Sequence, residues 1–512
     1  MHNLSQLEQI GQHFVCGFPS TYLDEAFKEA VRTYKIANVI LFARNIESKQ
    51  QLKDLCSEIQ TLVREECHTS ALICIDQEGG MVTRLSDDCT NVPGAMALSA
   101  TNDEDAVFEA GTITANELKA LGVNCNLAPV LDVNSNKDNP VIGVRSFGDT
   151  QEQVSKFATK QMEALQVNGM LAVGKHFPGH GDTHLDSHLA LPKVEMDKLH
   201  LEEHIAPFRS AIRNGIQGIM SSHILFPSLE QQMLPATMSR AILTDFLKGE
   251  LGFKGLVFSD CMEMQAIQKY YGTQAGSLSA LISGVDLVCI SHHVQLAIET
   301  IALVKESLLQ GQLDRKEFAE STQKILLAKE MLEAEAPVPF EVVGGKDHTQ
   351  RSQTLLERTF CMVNDVPFQF GDKALFVGPR LFSATNVSNA DTSVVFSAGM
   401  AERLGGDSLI TSENPNQNEI EKVLLEAELH TSVIVGTYNG HLYTGQVDLV
   451  NALAKTGVPV FCVALRNPYD LALLSERVAS LAVFEYTDKV LDALSRFFRG
   501  EIEATGKLPV RL

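Results

Sequence analysis

Two aspartates and one histidine of this 512-residue chain have the types and spacing needed for acid–base and nucleophilic chemistry. Asp186 and His188 stand two residues apart in the segment LAVGKHFPGHGDTHLDSH, residues 171–188. In an extended segment they can face the same way, so the carboxylate orients the imidazole and raises its pKa. Asp260 follows an apolar run, where a carboxylate is costly unless it is hydrogen-bonded or functional. These residues predict a hydrolase or transferase.

The same segment allows a metal site as an alternative, because His176, His180, His184 and His188 are spaced by four residues. On a helix they would form one stripe of imidazole ligands. Pro178 and the neighbouring glycines argue against that helix, so we expect no metal. A solvated surface loop is the other alternative. Ser187 is interpreted as a spacing residue rather than a nucleophile.

Further polar residues stand at the ends of predicted strands: Asp76, Lys175 with His176, His223 and Asp260. In a barrel of parallel strands these ends share one mouth, where active sites lie. Each residue alone could be a capping or internally hydrogen-bonded group. Together they indicate a site.

Eight short apolar runs, each followed by a helix-like amphipathic stretch, position these residues. The runs are 12–18, 37–43, 71–76, 123–129, 170–176, 215–223, 255–260 and 285–291, and the helical patterns include 48–66, 104–122 and 241–252. Alternating strands and helices predict an α/β fold with a (β/α)8 barrel. A doubly wound open sheet is the alternative fold. No strand is followed by Gly-x-Gly-x-x-Gly, so a dinucleotide cofactor has no support, and we expect no cofactor.

The pattern restarts after a Pro- and Gly-containing stretch. We predict a catalytic barrel over 1–335, a linker over 336–346 and a smaller C-terminal α/β sandwich over 347–512. The predicted strands of this second region are 373–379, 393–399, 407–412, 432–439, 458–468 and 479–486. The turn Arg466-Asn467-Pro468-Tyr469-Asp470 is interpreted as structural packing.

The composition of the chain limits its possible binding partners and its location. Lys plus Arg number 42 and Asp plus Glu 64, and the net charge of −22 argues against nucleic acid or an anionic membrane as partner. The ten cysteines form no CxxC, and Cys74, Cys125 and Cys289 are predicted to be core residues. The N-terminal residues have no signal-peptide pattern, and no run is long enough for a membrane span. We expect a cytoplasmic protein, and the sequence indicates no oligomeric state.

Four motifs resemble those of family 3 glycoside hydrolases, and more narrowly the NagZ-type β-N-acetylglucosaminidases. In chain order they are IDQEGGMVTRL, NLAPVLDVNSNKDNPVIGVRSFGD, KHFPGHGDTHLDSH and VFSDCMEM. The C-terminal LRNPYDL and GKLPVRL are similar to the second domain of larger family members. One departure is visible: related chains usually have Arg after the double glycine, where Met81 stands here.

The resemblance implies a role for each matching residue. Asp260 is expected to be the nucleophile and His188 the acid/base, with Asp186 as its partner. The residues expected to hold the sugar in the −1 subsite are Asp76, Arg84, Arg145, Lys175 and His176, with His223 nearby. From the residues alone, a surface ion-pair residue is an alternative interpretation of Arg84, and Arg145 would be interpreted as a solvated loop residue.

The resemblance further implies a retaining exo-β-N-acetylglucosaminidase that releases terminal N-acetylglucosamine (GlcNAc) from short saccharides, with cell-wall muropeptide fragments as substrates. A phosphorylase of the same family is an alternative, since a neutral histidine does not repel phosphate. A β-glucosidase fits less well, because the His–Asp pair is the GlcNAc-type signature. A non-catalytic sugar-binding barrel and a metal hydrolase are the remaining alternatives.

Overall fold

A computed structural model describes residues 4–183, 191–195, 197–380 and 394–512. The barrel region contains α1 Gln6–Gly11, β1 Phe14–Cys16, α2 Glu25–Tyr34, β2 Asn38–Leu41, α3 Lys49–Cys67, β3 Leu72–Ile75, α4 Ala95–Ala100, α5 Glu104–Ala120, β4 Cys125–Asn126, α6 Gln151–Val167, β5 Leu171–Phe177, α7 Lys198–Arg213, β6 Gly218–Ser221, a π-helix Ala241–Glu250, β7 Leu256–Ser259, α8 Gln265–Gln268, α9 Thr273–Ser283, β8 Val288–Ile290, α10 Val294–Gln310 and α11 Arg315–Glu333. The C-terminal region contains α12 Lys346–Glu357, β9 Cys361–Asn364, β10 Ala374–Pro379, α13 Phe396–Leu404, β11 Asp407–Thr411, α14 Gln417–Ala427, β12 Ser432–Thr437, α15 Gly445–Leu453, β13 Val460–Ala464, β14 Ala479–Ala482 and α16 Asp488–Phe498.

The eight predicted barrel strands all form, and they pair in parallel in the order β7-β6-β5-β4-β3-β2-β1-β8. A parallel bridge between Phe258 and Leu287 joins β7 to β8 and brings the sheet to closure. Every residue of these strands is buried, since helices cover the outer face and side chains fill the inside. Cys74, Cys125 and Cys289 lie in the interior cluster, as predicted. The α/β barrel prediction is therefore confirmed.

The helices around the barrel follow the predicted amphipathic patterns. Helix α3 begins after Ser48, whose side chain accepts a hydrogen bond from Gln51 N at 3.2 Å. It buries Leu52, Ile59 and other apolar residues against the barrel. The predicted helix 104–122 appears as α5, and 241–252 appears as the π-helix.

The second sheet has six strands in the order β11-β10-β12-β13-β14-β9, all parallel except β9. One prediction for this region was wrong, and one strand was missed. The run 393–399 does not form the predicted strand: α13 begins at Phe396, and Phe396 and Met400 are buried one helical turn apart. Strand β9 was not predicted. Short apolar runs fit a strand and a buried helix turn equally well, so their type depends on tertiary packing.

The predicted linker precedes a helix that contacts both parts of the chain. Residues 336–346 contain a 3-10 turn, Phe340–Val342, and lead into α12. In α12, Leu355 packs in the barrel's main hydrophobic cluster, whereas the next residue, Leu356, packs with the second sheet. The division into 1–335, 336–346 and 347–512 stays a prediction.

Within the described ranges, the chain contains no helix with the length and apolar character needed to cross a bilayer.

Candidate active site

A cavity of about 500 Å³ opens at the carboxyl ends of the barrel strands. Asp76 follows β3, Lys175 and His176 lie at the end of β5, and Asp260 follows β7. Parallel strands carry all these ends to one mouth of the barrel. The cavity brings together six of the predicted site residues: Asp76, Arg84, Arg145, Lys175, His176 and Asp260. The predicted catalytic residues Asp186 and His188 lie outside the described residues.

A buried network of charges forms one wall of the cavity. Lys175 Nζ lies 2.7 Å from Asp76 Oδ1 and 2.7 Å from Glu78 Oε1. Arg145 donates two hydrogen bonds to Glu78, from Nε at 2.9 Å and from Nη2 at 2.8 Å. Alternating cations and carboxylates offset the cost of burying each charge. The wall therefore presents both donors and acceptors to a polar ligand.

The network sets the protonation states of its members. Burial alone would raise the pKa of Glu78, but the charges of Arg145 and Lys175 hold it well below its usual range. Burial alone would lower the pKa of Lys175, but the charges of Asp76 and Glu78 raise it. Opposite charges at this distance favour the charged forms. At neutral pH, Glu78 and Lys175 are therefore both ionised.

The two arginines of the cavity are buried rather than solvated. Arg84 is 6% exposed and Arg145 is 5% exposed. Arg84 Nη2 lies 3.8 Å from Asp76 Oδ2, on the side opposite the oxygen that accepts from Lys175. Asp76 thus lies between two cations. The sequence-based alternatives of a surface ion pair and a solvated loop do not apply to these residues.

Asp132 holds the histidines of the β5 segment. Its buried carboxylate accepts hydrogen bonds from His176 N at 3.1 Å, His176 Nδ1 at 2.7 Å and His180 N at 2.7 Å. Burial, followed by the charge of His176, lowers the pKa of His180 to about 4. His180 is therefore neutral at physiological pH. This arrangement fixes the ring of His176 where it lines the cavity.

Asp260 and His223 follow the neighbouring strands β7 and β6. Cys261 N donates to Asp260 Oδ1 at 2.7 Å, and the Asp260 side chain reaches the cavity. His223 is buried, and its ring nitrogens lie 2.9 Å from Thr237 Oγ1 and 2.9 Å from the carbonyl oxygen of Cys261. His223 is not among the described residues that line the cavity, so it supports the segment behind Asp260. Its predicted contact with substrate stays a prediction.

The sequence reasoning missed Glu78 and Asp132. Glu78 stands two residues after Asp76 in IDQEGG, and Asp132 stands in NLAPVLD six residues after the end of β4. Each is an acidic residue shortly after a buried strand, the same signal that identified Asp76 and Asp260. Neither ends its strand directly, and only the folded loops bring Glu78 to Arg145 and Lys175, and Asp132 to His176.

One group of described residues at the cavity wall has metal-ligand types. Possible ligand atoms of Cys261, Glu263 and His292 lie within 4.8 Å of one another. Both carboxylate oxygens of Glu263 already accept hydrogen bonds, one from His292 N and one from His293 Nδ1, each at 2.6 Å. The charge of Arg44 acts on the same thiol and carboxylate and opposes a cation there. We derive no chemistry from a metal at this position.

Comparisons with known proteins agree with this architecture. The sequence profile of the glycosyl hydrolase family 3 N-terminal domain matches residues 2–328. A β-hexosaminidase of Nitrosomonas eutropha is 37% identical over 52% of this chain and 76% of its own length. Beta-hexosaminidase A of Pseudoalteromonas piscicida is 32% identical over 62% of this chain, and the match spans 57% of that relative.

A solved structure covers nearly the whole chain. It is a family 3 β-N-acetylglucosaminidase from Paenibacillus sp. strain FPU-7, with 33% identity, a TM-score of 0.91 and 99% coverage of both chains. The similarity includes the second sheet as well as the barrel. The resemblance drawn from the four motifs and the prediction of a glycoside hydrolase are therefore confirmed.

Proposed function

Because the chain belongs to glycosyl hydrolase family 3, we propose that it is a retaining exo-β-N-acetylglucosaminidase acting on short saccharides that carry a terminal β-linked GlcNAc. The names of its β-hexosaminidase relatives and of the β-N-acetylglucosaminidase structural neighbour support the sugar. A cavity of about 500 Å³ that opens at the barrel mouth suits one sugar ring with part of its aglycone.

The observation that carries the proposal is that Asp260 lines the same cavity as Asp76, Lys175 and Arg145. Glu78 holds the two cations of this network. Sugar hydroxyls need acceptors such as Asp76 and donors such as Lys175, and an acetamido carbonyl needs a donor such as Arg145. A carboxylate across the same cavity can reach the anomeric carbon of a sugar so held. The network binds and orients, and Asp260 is the nucleophile.

The reaction proceeds in two steps. Asp260 attacks the anomeric carbon and forms a covalent glycosyl-enzyme while His188 donates a proton to the leaving oxygen. His188, now neutral, then accepts a proton from water as the water attacks the same carbon and releases Asp260. Two inversions leave the configuration of the sugar unchanged. Asp186 orients His188 and favours its protonated form.

The family resemblance also leads to a proposal for the natural substrates and for the cellular compartment. We propose muropeptide fragments such as GlcNAc-MurNAc as substrates and the cytoplasm as the location. An acidic protein of this kind has no electrostatic attraction for nucleic acid or anionic membranes. The proposal needs no cofactor, and activity that survives a chelator would set aside a metal hydrolase.

The experiment is product analysis on an aryl β-GlcNAc substrate, with and without inorganic phosphate. Proton NMR during turnover reports the anomeric configuration of the first product. Free GlcNAc of retained configuration in both buffers is the expected result. The Asp260→Asn variant, purified in parallel, controls for contaminating glycosidases.

Other results would redirect the proposal. GlcNAc-1-phosphate as the main product keeps the site residues and makes the enzyme a phosphorylase. Cleavage of an aryl β-glucoside in place of the GlcNAc substrate contradicts the sugar assignment. Binding of GlcNAc without turnover of either substrate indicates a sugar-binding barrel.

A further inference from the structure

We propose that the C-terminal part of the chain positions Arg145 through the hydroxyl of Tyr469, an inference that rests on the proposed function of the cavity. The C-terminal unit is defined here as β9–β14 with α13–α16. Tyr469 lies in this unit, in the 3-10 turn Pro468–Leu473 that follows β13. Arg145 lies in the β4 loop, residues 127–150, at the end of the turn Gly143–Arg145.

Asn134 connects the two. Its Nδ2 donates a hydrogen bond to the Tyr469 hydroxyl at 2.7 Å, and its Oδ1 accepts one from Gly143 N at 3.1 Å. Asn134 is 1% exposed and Tyr469 is 5% exposed. A hydrogen bond in such a site is costly to lose, since the remaining partner cannot turn to water. Tyr469 therefore fixes the orientation of the amide that holds the start of the Arg145 turn.

The C-terminal unit also contacts the turn itself. Val144 packs in a hydrophobic cluster together with Tyr469, Leu471 and Phe484. A Cβ at Gly143, where φ is +46°, would lie only 2.6 Å from Asn467 Oδ1, so the backbone approaches that side chain closely. The residues before Arg145 are thus held by direct packing.

A third contact lies further along the β4 loop. His441, which follows β12, has its Nε2 3.1 Å from the carbonyl oxygen of Lys137, and its ring lies edge-on to Tyr469 with centroids 5.3 Å apart. Tyr469 is the centre of this interface, because it contacts both Asn134 and His441. The turn Arg466–Asp470, interpreted above as packing, therefore acts on the loop that carries Arg145.

The position of Arg145 matters beyond its own contacts. Its guanidinium makes the paired hydrogen bonds to Glu78, and Glu78 in turn holds Lys175. A shift of the turn would move Arg145 directly and would be transmitted through Glu78 to Lys175, and both of these residues line the cavity. Tyr469 is not among the described residues that line the cavity, so it is a positioning residue.

Tyr469→Phe tests this inference, with Tyr486→Phe as the matched control. The Tyr486 hydroxyl donates to the carbonyl oxygen of Pro379 at 3.1 Å and accepts from Phe396 N at 2.5 Å, both within the C-terminal unit. We expect Tyr469→Phe to lower kcat/KM on the aryl substrate about tenfold, mainly through KM. Tyr486→Phe should keep kcat/KM within about twofold even where its Tm falls further.

Amide hydrogen exchange gives a readout that needs no substrate. Exchange over residues 142–146 should accelerate in Tyr469→Phe and stay unchanged in Tyr486→Phe. In a double-mutant cycle, Asn134→Ala with Tyr469→Phe should be no worse than Asn134→Ala alone, because both remove one contact. Asn134→Ala also tests the contact from the barrel side if Tyr469→Phe does not fold.

Three results would overturn the inference. They are wild-type kcat/KM with unchanged exchange in Tyr469→Phe, activity losses that only follow Tm in both tyrosine variants, or effects of the two positions that multiply. An inactive wild-type protein would instead contradict the proposed function, and the exchange comparison would still decide the inference.

Discussion

Glu78 supplies the negative charge between two buried cations, Lys175 and Arg145. Their side chains are 7%, 2% and 4% exposed, so water screens none of them. Removing one member of such a network leaves uncompensated charge in a low-dielectric site, which costs far more than an exposed ion pair contributes. The stability of the barrel and the shape of the cavity therefore both depend on Glu78.

Replacing Glu78 tests this dependence. Glu78→Gln keeps the size of the side chain and should lower the free energy of unfolding by about 3 kcal/mol. We expect kcat/KM to fall at least about a hundredfold, since both cations lose their anchor. Urea unfolding and steady-state kinetics measure the two effects.

The control for Glu78→Gln is Glu333→Gln. Glu333 pairs with Arg64 at 2.9 Å, but the side chains are 45% and 55% exposed. This change should cost less than about 1 kcal/mol and leave activity intact. Equal stability of Glu78→Gln and wild type would contradict the role given to the network.

Asp260→Asn tests the proposed nucleophile. The amide retains the size of the side chain and can still accept from Cys261 N, so the cavity should keep its shape. Because an amide does not form the glycosyl ester, kcat should fall by about a thousandfold or more. GlcNAc binding, measured by calorimetry, should change by less than about fivefold. Near-normal turnover would show that the nucleophile lies elsewhere.

The loop after β3 packs against the C-terminal unit. Met81, which follows the double glycine, is buried and packs with Phe360, Tyr438 and Tyr486. Tyr486 N lies 3.1 Å from its sulfur. The same loop carries Glu78 three residues earlier. Met81 therefore makes an apolar contact between the two parts of the chain.

Two substitutions at Met81 should have opposite outcomes. Met81→Leu keeps volume and polarity and should cost less than about 1.5 kcal/mol. Met81→Arg buries a charge in an apolar cluster and should cost more than about 3 kcal/mol, with reduced activity because the Glu78 loop moves. Thermal unfolding of both variants measures the difference. A stable Met81→Arg protein would mean that this loop does not depend on the apolar contact.

At the level of the whole molecule, the barrel and the C-terminal unit are in contact through a buried carboxyl group, that of Glu485. Glu485 accepts a hydrogen bond from Gly94 N at 2.5 Å and approaches Gly80 closely. Burial raises its pKa to about 7, although the Gly94 hydrogen bond and the charge of Lys489 act in the opposite direction. The contact is therefore made by a group that titrates near physiological pH.

This carboxyl group predicts a fall in stability as pH rises. Between the ordinary pKa of 4.5 and about 7, the folded protein binds more protons at Glu485 than the unfolded chain does. The free energy of unfolding therefore decreases across this window, by about 3 kcal/mol for this group, and levels off above it. Glu485→Gln, which can still accept from Gly94, should remove that component.

Urea unfolding of both proteins at pH 5, 6, 7 and 8 measures it. The contribution of Glu485 is the difference between their pH profiles, since the other titrating groups are common to both. Glu485→Gln should gain on the wild type as pH rises. Parallel profiles would contradict a raised pKa at this position.

The amino-acid pattern alone was enough to predict the barrel and several of the residues at its mouth. Eight buried parallel strands produce short apolar runs, because both faces of each strand are covered, and the polar residue that ends a run must lie at the rim. For this reason Asp76, Lys175, His176 and Asp260 could be placed together from their positions alone. The four sequence motifs also identified the family.

The contacts among the site residues depend on the tertiary structure. Glu78 and Asp132 stand in loops without periodicity, and their partners Arg145 and His176 are 67 and 44 residues away. The type of the run that became α13 and the burial of Met81 depended equally on packing against distant segments. Contacts of this range follow from how loops close over the barrel, which local residue patterns do not encode.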